Sequence, residues 1–162
     1  MQKRFIYAFW IVVLILASFI AHLYLQNKNK QALTPESSVT LNGAVVSIKA
    51  YNHHYQSYGK INDETVIFLV DTGATSVSIP EHIANSIGLK KGYALQASTA
   101  NGITTVYYTL IPKLQIGNIV LHNVRGNINP SMKGDSILLG MSALRRLEIT
   151  QKNNVLTLKQ QK

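Results

Sequence analysis

Apolar positions along the chain fall into two regimes. Phe5 to Leu25 is one continuous apolar run without a formal charge, FIYAFWIVVLILASFIAHLYL. At about 1.5 Å per residue it matches a hydrocarbon core of about 30 Å. Tyr7, Trp10 and Tyr24 stand towards its ends, where amphipathic rings favour a membrane interface. A cleaved signal peptide and a buried helix are the rivals, but a signal peptide's apolar region is shorter, about 7–15 residues, and Phe19-Ile20-Ala21 is a poor cleavage site. The expected organisation is therefore a transmembrane anchor over 1–26, a polar linker over 27–40 containing Thr34-Pro35-Glu36-Ser37-Ser38, and a folded domain over 41–162.

Within that domain the pattern becomes short β-like runs. Val45–Ala50, Tyr55–Ile61 and Glu64–Val70 read as strands, with Asn62-Asp63 as a tight turn between the last two. Val77–Pro80 is a short strand. Glu81–Ile87 is a helix with Ile83, Ala84 and Ile87 on one face and Gly88 as its stop. Ala94–Thr99, Ile103–Tyr108, Thr109–Ile116, Ile119–Val124 and Gly126–Ile128 follow as strands. Pro112 suggests a break or an edge position. Asn101-Gly102 is the strongest turn signal in the chain. Ser142–Leu147 reads as a short helix, and Ile149–Thr150 with Val155–Leu158 as a closing hairpin. The expectation is a mainly β domain of roughly 120 residues with two short helices, an ordinary single-domain size.

Composition adds little against this. The chain has 162 residues, a formal charge of +9 and no cysteine. A cysteine-free chain suits an oxidising compartment without proving one. The basic residues are dispersed and form no stripe with interleaved aromatics, so no nucleic-acid partner is expected; a basic surface beside anionic lipid is. Lys3 and Arg4 precede the apolar run while Lys28 and Lys30 follow it, a slight preference for a cytoplasmic N-terminus. That orientation would put the domain outside the cytoplasm, in a bacterial case in the periplasm.

The chemistry concentrates at Asp71-Thr72-Gly73-Ala74-Thr75, directly after the apolar run Val66–Val70. A carboxylate at the end of a buried strand is costly unless it is hydrogen-bonded or used. Downstream stands Ile137-Leu138-Leu139-Gly140, then Met141-Ser142-Ala143-Leu144. D-T-G after an apolar strand, followed later by L-L-G, resembles the signature of retropepsin-like aspartic proteases. The D-T-G-A-T and L-L-G-M-S wording, with His54-Tyr55 and Gly59-Lys60-Ile61-Asn62 ahead of it, is closest to bacterial membrane-anchored members.

That resemblance implies a single-lobe acid-protease barrel and peptide hydrolysis without a metal or other cofactor. Two carboxylates about 3 Å apart can share a proton and serve as base and acid. The chain has one D-T-G, so the resemblance implies a homodimer with the two Asp71 side chains on its two-fold axis. Thr72 would bond across to the partner's loop, Gly73 would admit the substrate strand, and Ala74, Leu138, Leu139 and Gly140 would support the loop. Thr99, Ala100, Asn101, Gly102 and Ile103 would form a flap over an extended peptide or protein substrate. Thr75 and Ser76 replace residues that are often acidic in viral members, and Met141 one that is often arginine. A catalytically inactive dimerisation or peptide-binding module on the membrane is the alternative, and a zymogen that cuts its own linker near Thr34-Pro35 a weaker one. His53 and His54, as strand neighbours, would point to opposite faces and make poor joint metal ligands. Arg145 and Arg146 read as a solvated helix face, and Tyr107-Tyr108 as sheet packing.

Overall fold

The computed structural model describes residues 2–40, 43–99 and 102–160. Two compact units divide at Ala32/Leu33. The first consists of the helix α1, Gln2–Leu33, up to but not including its last residue. Its 32 residues would reach about 48 Å at about 1.5 Å each, longer than a hydrocarbon core. It is long and apolar enough to cross a membrane from Phe5 onward, and none of its apolar window is buried. The helix continues through Gln26–Leu33, and Glu36–Thr40 pairs as strand β1, so the stretch read as linker carries regular structure at both ends.

The second unit is mainly β. After β1 come β2 (Gly43–Tyr51), β3 (His54–Ile61), β4 (Glu64–Val70), β5 (Val77–Pro80), helix α2 (Glu81–Ser86), β6 (Ala94–Thr99), β7 (Gly102–Ile116), β8 (Ile119–Asn129), β9 (Ser136–Leu139), helix α3 (Met141–Leu144), β10 (Glu148–Lys152) and β11 (Val155–Gln160). Neighbour pairing runs β3-β4-β9-β5-β8-β7, and β7 returns to β3 through Lys60↔Gln115 and Ile61↔Leu114. That last pairing closes a six-stranded barrel, which removes exposed edges from these strands. Phe68, Ile61, Ile79, Ile111, Leu114, Ile128 and Ile137 are fully buried within the core.

β2 leaves the barrel after two pairs with β3 and lies between β1 and β11, with β10 outside β11. Alternate residues Val46, Ile48, Leu156 and Leu158 are buried, the period-two signature of a one-sided sheet. β1 and β10 are exposed at every position.

Three two-residue turns have both central residues at positive φ: Asn52-His53, Asn62-Asp63 and Asn153-Asn154. This is the backbone that type I′ hairpins require, and asparagine tolerates it well. His53 therefore belongs to a turn and only His54 to a strand. Pro112 does not break its strand. The β7–β8 ladder passes from Ile111↔Val124 to Lys113↔His122, skipping the pair between Pro112 and Asn123, where Asn123 has φ 52°. A proline has no N–H for the ladder, and a local lapse opposite it absorbs that loss without ending the strand.

Candidate active site

β4 delivers Asp71 to the rim of the barrel. Its parallel pairing with β9 runs from Ile67↔Ser136 to Val70↔Leu139. The Asp71 N–H then donates to the Leu139 carbonyl at 3.2 Å, one step beyond the last pair. The chain turns at once. The Gly73 N–H donates to Asp71 Oδ1 at 2.9 Å, and the Ala74 N–H to the Asp71 carbonyl at 3.3 Å. An aspartate bonding the backbone two residues on is a turn in its own right, and it fixes the carboxylate. Asp71 is half-buried, while Thr72 and Gly73 are exposed. Among the described residues the Asp71 carboxylate has no cationic partner within ion-pair distance.

The segment after β9 passes directly beneath this turn. The Met141 N–H donates to the Ala74 carbonyl at 2.8 Å, and the Ser142 N–H to the Thr75 carbonyl at 3.0 Å. Gly140 makes the crossing possible. A Cβ there would lie 2.3 Å from the Ser76 carbonyl oxygen and 2.7 Å from that of Ala74, both rigid main-chain atoms. Leu139 is fully buried and Leu138 half-buried. The structure thus brings Asp71, Ala74, Leu139 and Gly140 together as one hydrogen-bonded unit.

Sequence reading gave no role to the polar side chains that brace this unit. Ser142 Oγ accepts from the Val77 N–H at 3.0 Å and donates to the Arg125 carbonyl at 2.6 Å, joining the loop, α3 and β8. Asn127 Nδ2 donates to Ser76 Oγ at 2.8 Å, and Ser78 Oγ donates to Asn127 Oδ1 at 2.8 Å. Buried polar groups of this kind must be satisfied, and a fully satisfied network rigidifies its surroundings. The signal was a hydroxyl two residues after Gly140. Its partners lie 65 and 17 residues away, outside the reach of any local pattern. Arg146 also differs from expectation. It bonds the His122 and Asn123 carbonyls at 2.7 and 3.2 Å, covering the β8 residues opposite Pro112.

The hairpin of β6 and β7 stands where a lid was expected. Ala100 and Asn101, its expected tip, lie outside the described residues. Thr99 Oγ1 donates to the Gly102 carbonyl at 2.8 Å across the turn. Ile103 is 77% exposed. The base of the hairpin is clamped: the Tyr93 and Tyr108 rings stack at 5.1 Å, and the Gly92 N–H donates to the Tyr108 carbonyl at 2.7 Å. A cavity of about 270 Å³ lies between this base and the flank of the Asp71 loop, lined by Tyr93, Leu95, Tyr108, Thr75 and Ser76 together with residues of β8 and α3.

Residues 57–146 match the family of gag-polyprotein putative aspartyl proteases, a span that holds the barrel from within β3 onward and the Asp71 loop. The chain belongs to the retropepsin-like aspartic proteases. Within them, it is similar in fold to a retropepsin-like aspartic protease from Rickettsia conorii, with TM-score 0.64 and 23% identity, covering 78% of this chain and 96% of that one. It is also 31% identical over 110 residues to a Sinorhizobium sp. protein described as an uncharacterized protein in the cobV 5′ region. That match covers 66% of this chain and 47% of the relative, so the retropepsin-like chain spans about half the relative's length. The expected fold, a mainly β retropepsin-like barrel with short helices and one preceding apolar helix, is the observed one.

Proposed function

We propose that this chain is a membrane-anchored aspartic endopeptidase that acts as a homodimer, with the Asp71 carboxylates of two chains sharing one proton around the attacking water. The observation that carries the reading is the Asp71 turn itself. Its backbone is held by Leu139 and Ala74, one carboxylate oxygen is aimed by the Gly73 N–H, and the group stays accessible at the barrel rim. One chain supplies one such turn, and a lone carboxylate cannot be both base and acid in the same step. A two-fold axis beside Asp71 supplies the second. Close like charges cannot both ionise easily, which would keep one proton on the pair. One carboxylate would then take a proton from water as it attacks the peptide carbonyl. The other would donate to the carbonyl oxygen, and a proton would pass to the amide nitrogen as the C–N bond breaks.

Thr72 is exposed at the tip of the turn and suited to bond the partner's loop. The β6–β7 hairpin would close over an extended peptide, with exposed Ile103 and Leu95 supplying apolar contact. α1 would hold the enzyme in a bacterial inner membrane, with the charges of Lys3 and Arg4 keeping its N-terminus cytoplasmic and the domain periplasmic. Confinement to a membrane raises effective concentration, which favours a dimer whose half-sites are inert alone.

The test is full-length protein in detergent, wild type beside Asp71→Asn, incubated with a diverse peptide mixture from about pH 4 to about pH 7 and read by mass spectrometry. Wild type should cleave, and the variant should lose about 10³-fold or more in rate. Adding excess Asp71→Asn to wild type should lower activity, because mixed dimers carry an incomplete pair. Cleavage retained by Asp71→Asn sinks the mechanism. Peptide binding without turnover by the wild-type protein would instead favour a binding module.

A further inference from the structure

Two arginines from different elements line the cavity beside the Asp71 loop: Arg125 on β8 and Arg145 at the C-terminal end of α3. Both residues are exposed, and among the described residues neither guanidinium has an acidic partner. The chain has few acids to offer. It holds seven Asp and Glu residues, and five of them pair with Lys49, Lys113, Lys91, His82 and Lys159. The two left, by subtraction, are Glu64 on β4 and Asp71 itself. Thr75 and Ser76, the loop residues that face this cavity, carry hydroxyls and no charge. The opposite wall is the stacked Tyr93–Tyr108 pair, nearly parallel at 7° and fixed by main-chain bonds.

Two unpaired cations at one concavity create a positive potential that a bound anion would relieve. Guanidinium groups bind carboxylates with paired, charge-assisted hydrogen bonds, and the neighbouring hydroxyls can donate as well. The cavity begins four residues past Asp71, on the side where the hairpin base approaches. An extended peptide advances about 3.3 Å per residue, so a side chain a few residues from the scissile bond would reach it.

We propose that Arg125 and Arg145 form an outer subsite that selects an Asp or Glu side chain of the bound peptide. The assignment rests on the protease reading for its substrate, but its recognition chemistry is independent of turnover.

Two measurements separate the readings. The first uses full-length wild type, Arg125→Gln, Arg145→Gln, Arg145→Lys and Arg145→Glu in detergent with synthetic peptides carrying Asp or Glu, Asn or Gln, or Lys at each position in turn. Wild type should prefer the acid over its amide at one outer position by about tenfold in kcat/KM, the size of one charge-assisted hydrogen bond at a partly open site. The difference should lie in KM and shrink as salt rises. Each Gln variant should narrow the ratio, Arg145→Lys should retain part of it, and Arg145→Glu should invert it towards lysine. The second measures binding of the same peptides to full-length Asp71→Asn by fluorescence anisotropy, with and without the arginine substitutions. If wild type cleaves nothing, the protease reading fails, while arginine-dependent acid preference in binding still supports the subsite. Equal treatment of acid and amide in both assays overturns the subsite, as does a preference that survives both Gln variants in proteins with unchanged circular dichroism.

Discussion

The Asp71 turn and the β6–β7 hairpin face the same cavity but are built on opposite principles. The turn is only half-buried, yet its backbone is bonded to Leu139, Met141 and Ser142, and through Ser142 and Asn127 to β8. The hairpin spans Ala94–Thr99 and the first residues of β7, and among the described residues β6 pairs only with β7. Its order comes from the clamp at Tyr93 and Tyr108 and from Thr104 Oγ1 meeting Ser131 Oγ at 2.8 Å. Local stability follows packing and protected hydrogen bonds, so the turn should hold its geometry more firmly than the hairpin. A hydrolytic site needs both: fixed reacting groups and a cover that admits and releases a chain.

The comparison breaks most severely at Gly140. Gly140→Ala puts a methyl against two main-chain oxygens that belong to the turn itself. The expected cost is about 3 kcal/mol, in the range of overpacked cores, with loss of activity beyond the loss of folded protein. Denaturant unfolding of the detergent-solubilised chain checks it. A wild-type midpoint would mean that the turn can shift away from the crossing segment. Ser142→Ala is the next step down. It removes one hydroxyl that serves both the Val77 N–H and the Arg125 carbonyl, and leaves a buried donor without a partner. A loss of about 1–3 kcal/mol is expected, recovered in part by Ser142→Thr if the extra methyl fits.

The hairpin should respond in the opposite way. Ile103→Ser alters a side chain that is 77% exposed, so stability should change by no more than about 0.5 kcal/mol. If the hairpin closes on peptide, that side chain becomes buried in the complex, and KM should rise about tenfold with kcat nearly unchanged. A variant with unaltered KM would remove the apolar contact from the account of the lid.

What the sequence disclosed tracks how local each cause is. The apolar run ending in Asp71, the L-L-G segment, the turns at Asn62-Asp63 and Asn153-Asn154 and the Gly88 stop are contiguous signals, and each stands where it was expected, whereas the turn at Asn52-His53 was read as strand. Closure of the barrel depends on Ile61 meeting Leu114 and was not visible, because no local period encodes it. Pro112 misled for a related reason: a proline reads as a break unless the residue opposite it, Asn123, is known. At the site, the candidate carboxylate and its turn were legible and the bracing was not. Ser142, Arg125 and Asn127 act through partners far along the chain, and a lone serine or asparagine carries no pattern of its own. Arg145 was read as solvated; its place beside Arg125 appears only when α3 and β8 are set together around one cavity.

The smallest expected effect concerns β1, the strand that follows the apolar helix in sequence. Glu36 Oε1 accepts from Lys49 Nζ at 2.7 Å, tying β1 to β2. That hydrogen bond, with the attraction of the ammonium charge, holds the Glu36 carboxyl below its ordinary value. Because the folded group is the stronger acid, its contribution is present at neutral pH and lost as pH falls through the folded value. Both side chains are largely exposed, so salt and water weaken the pair. Global unfolding should therefore barely register acidification at this site, while amide exchange in Glu36–Thr40 should quicken relative to β11 once intrinsic rates are corrected. Lys49→Gln should show the faster exchange already at neutral pH and remove its pH dependence. Equal protection of β1 in both proteins at every pH would mean that the backbone ladder to Gly43–Ser47 alone holds the strand.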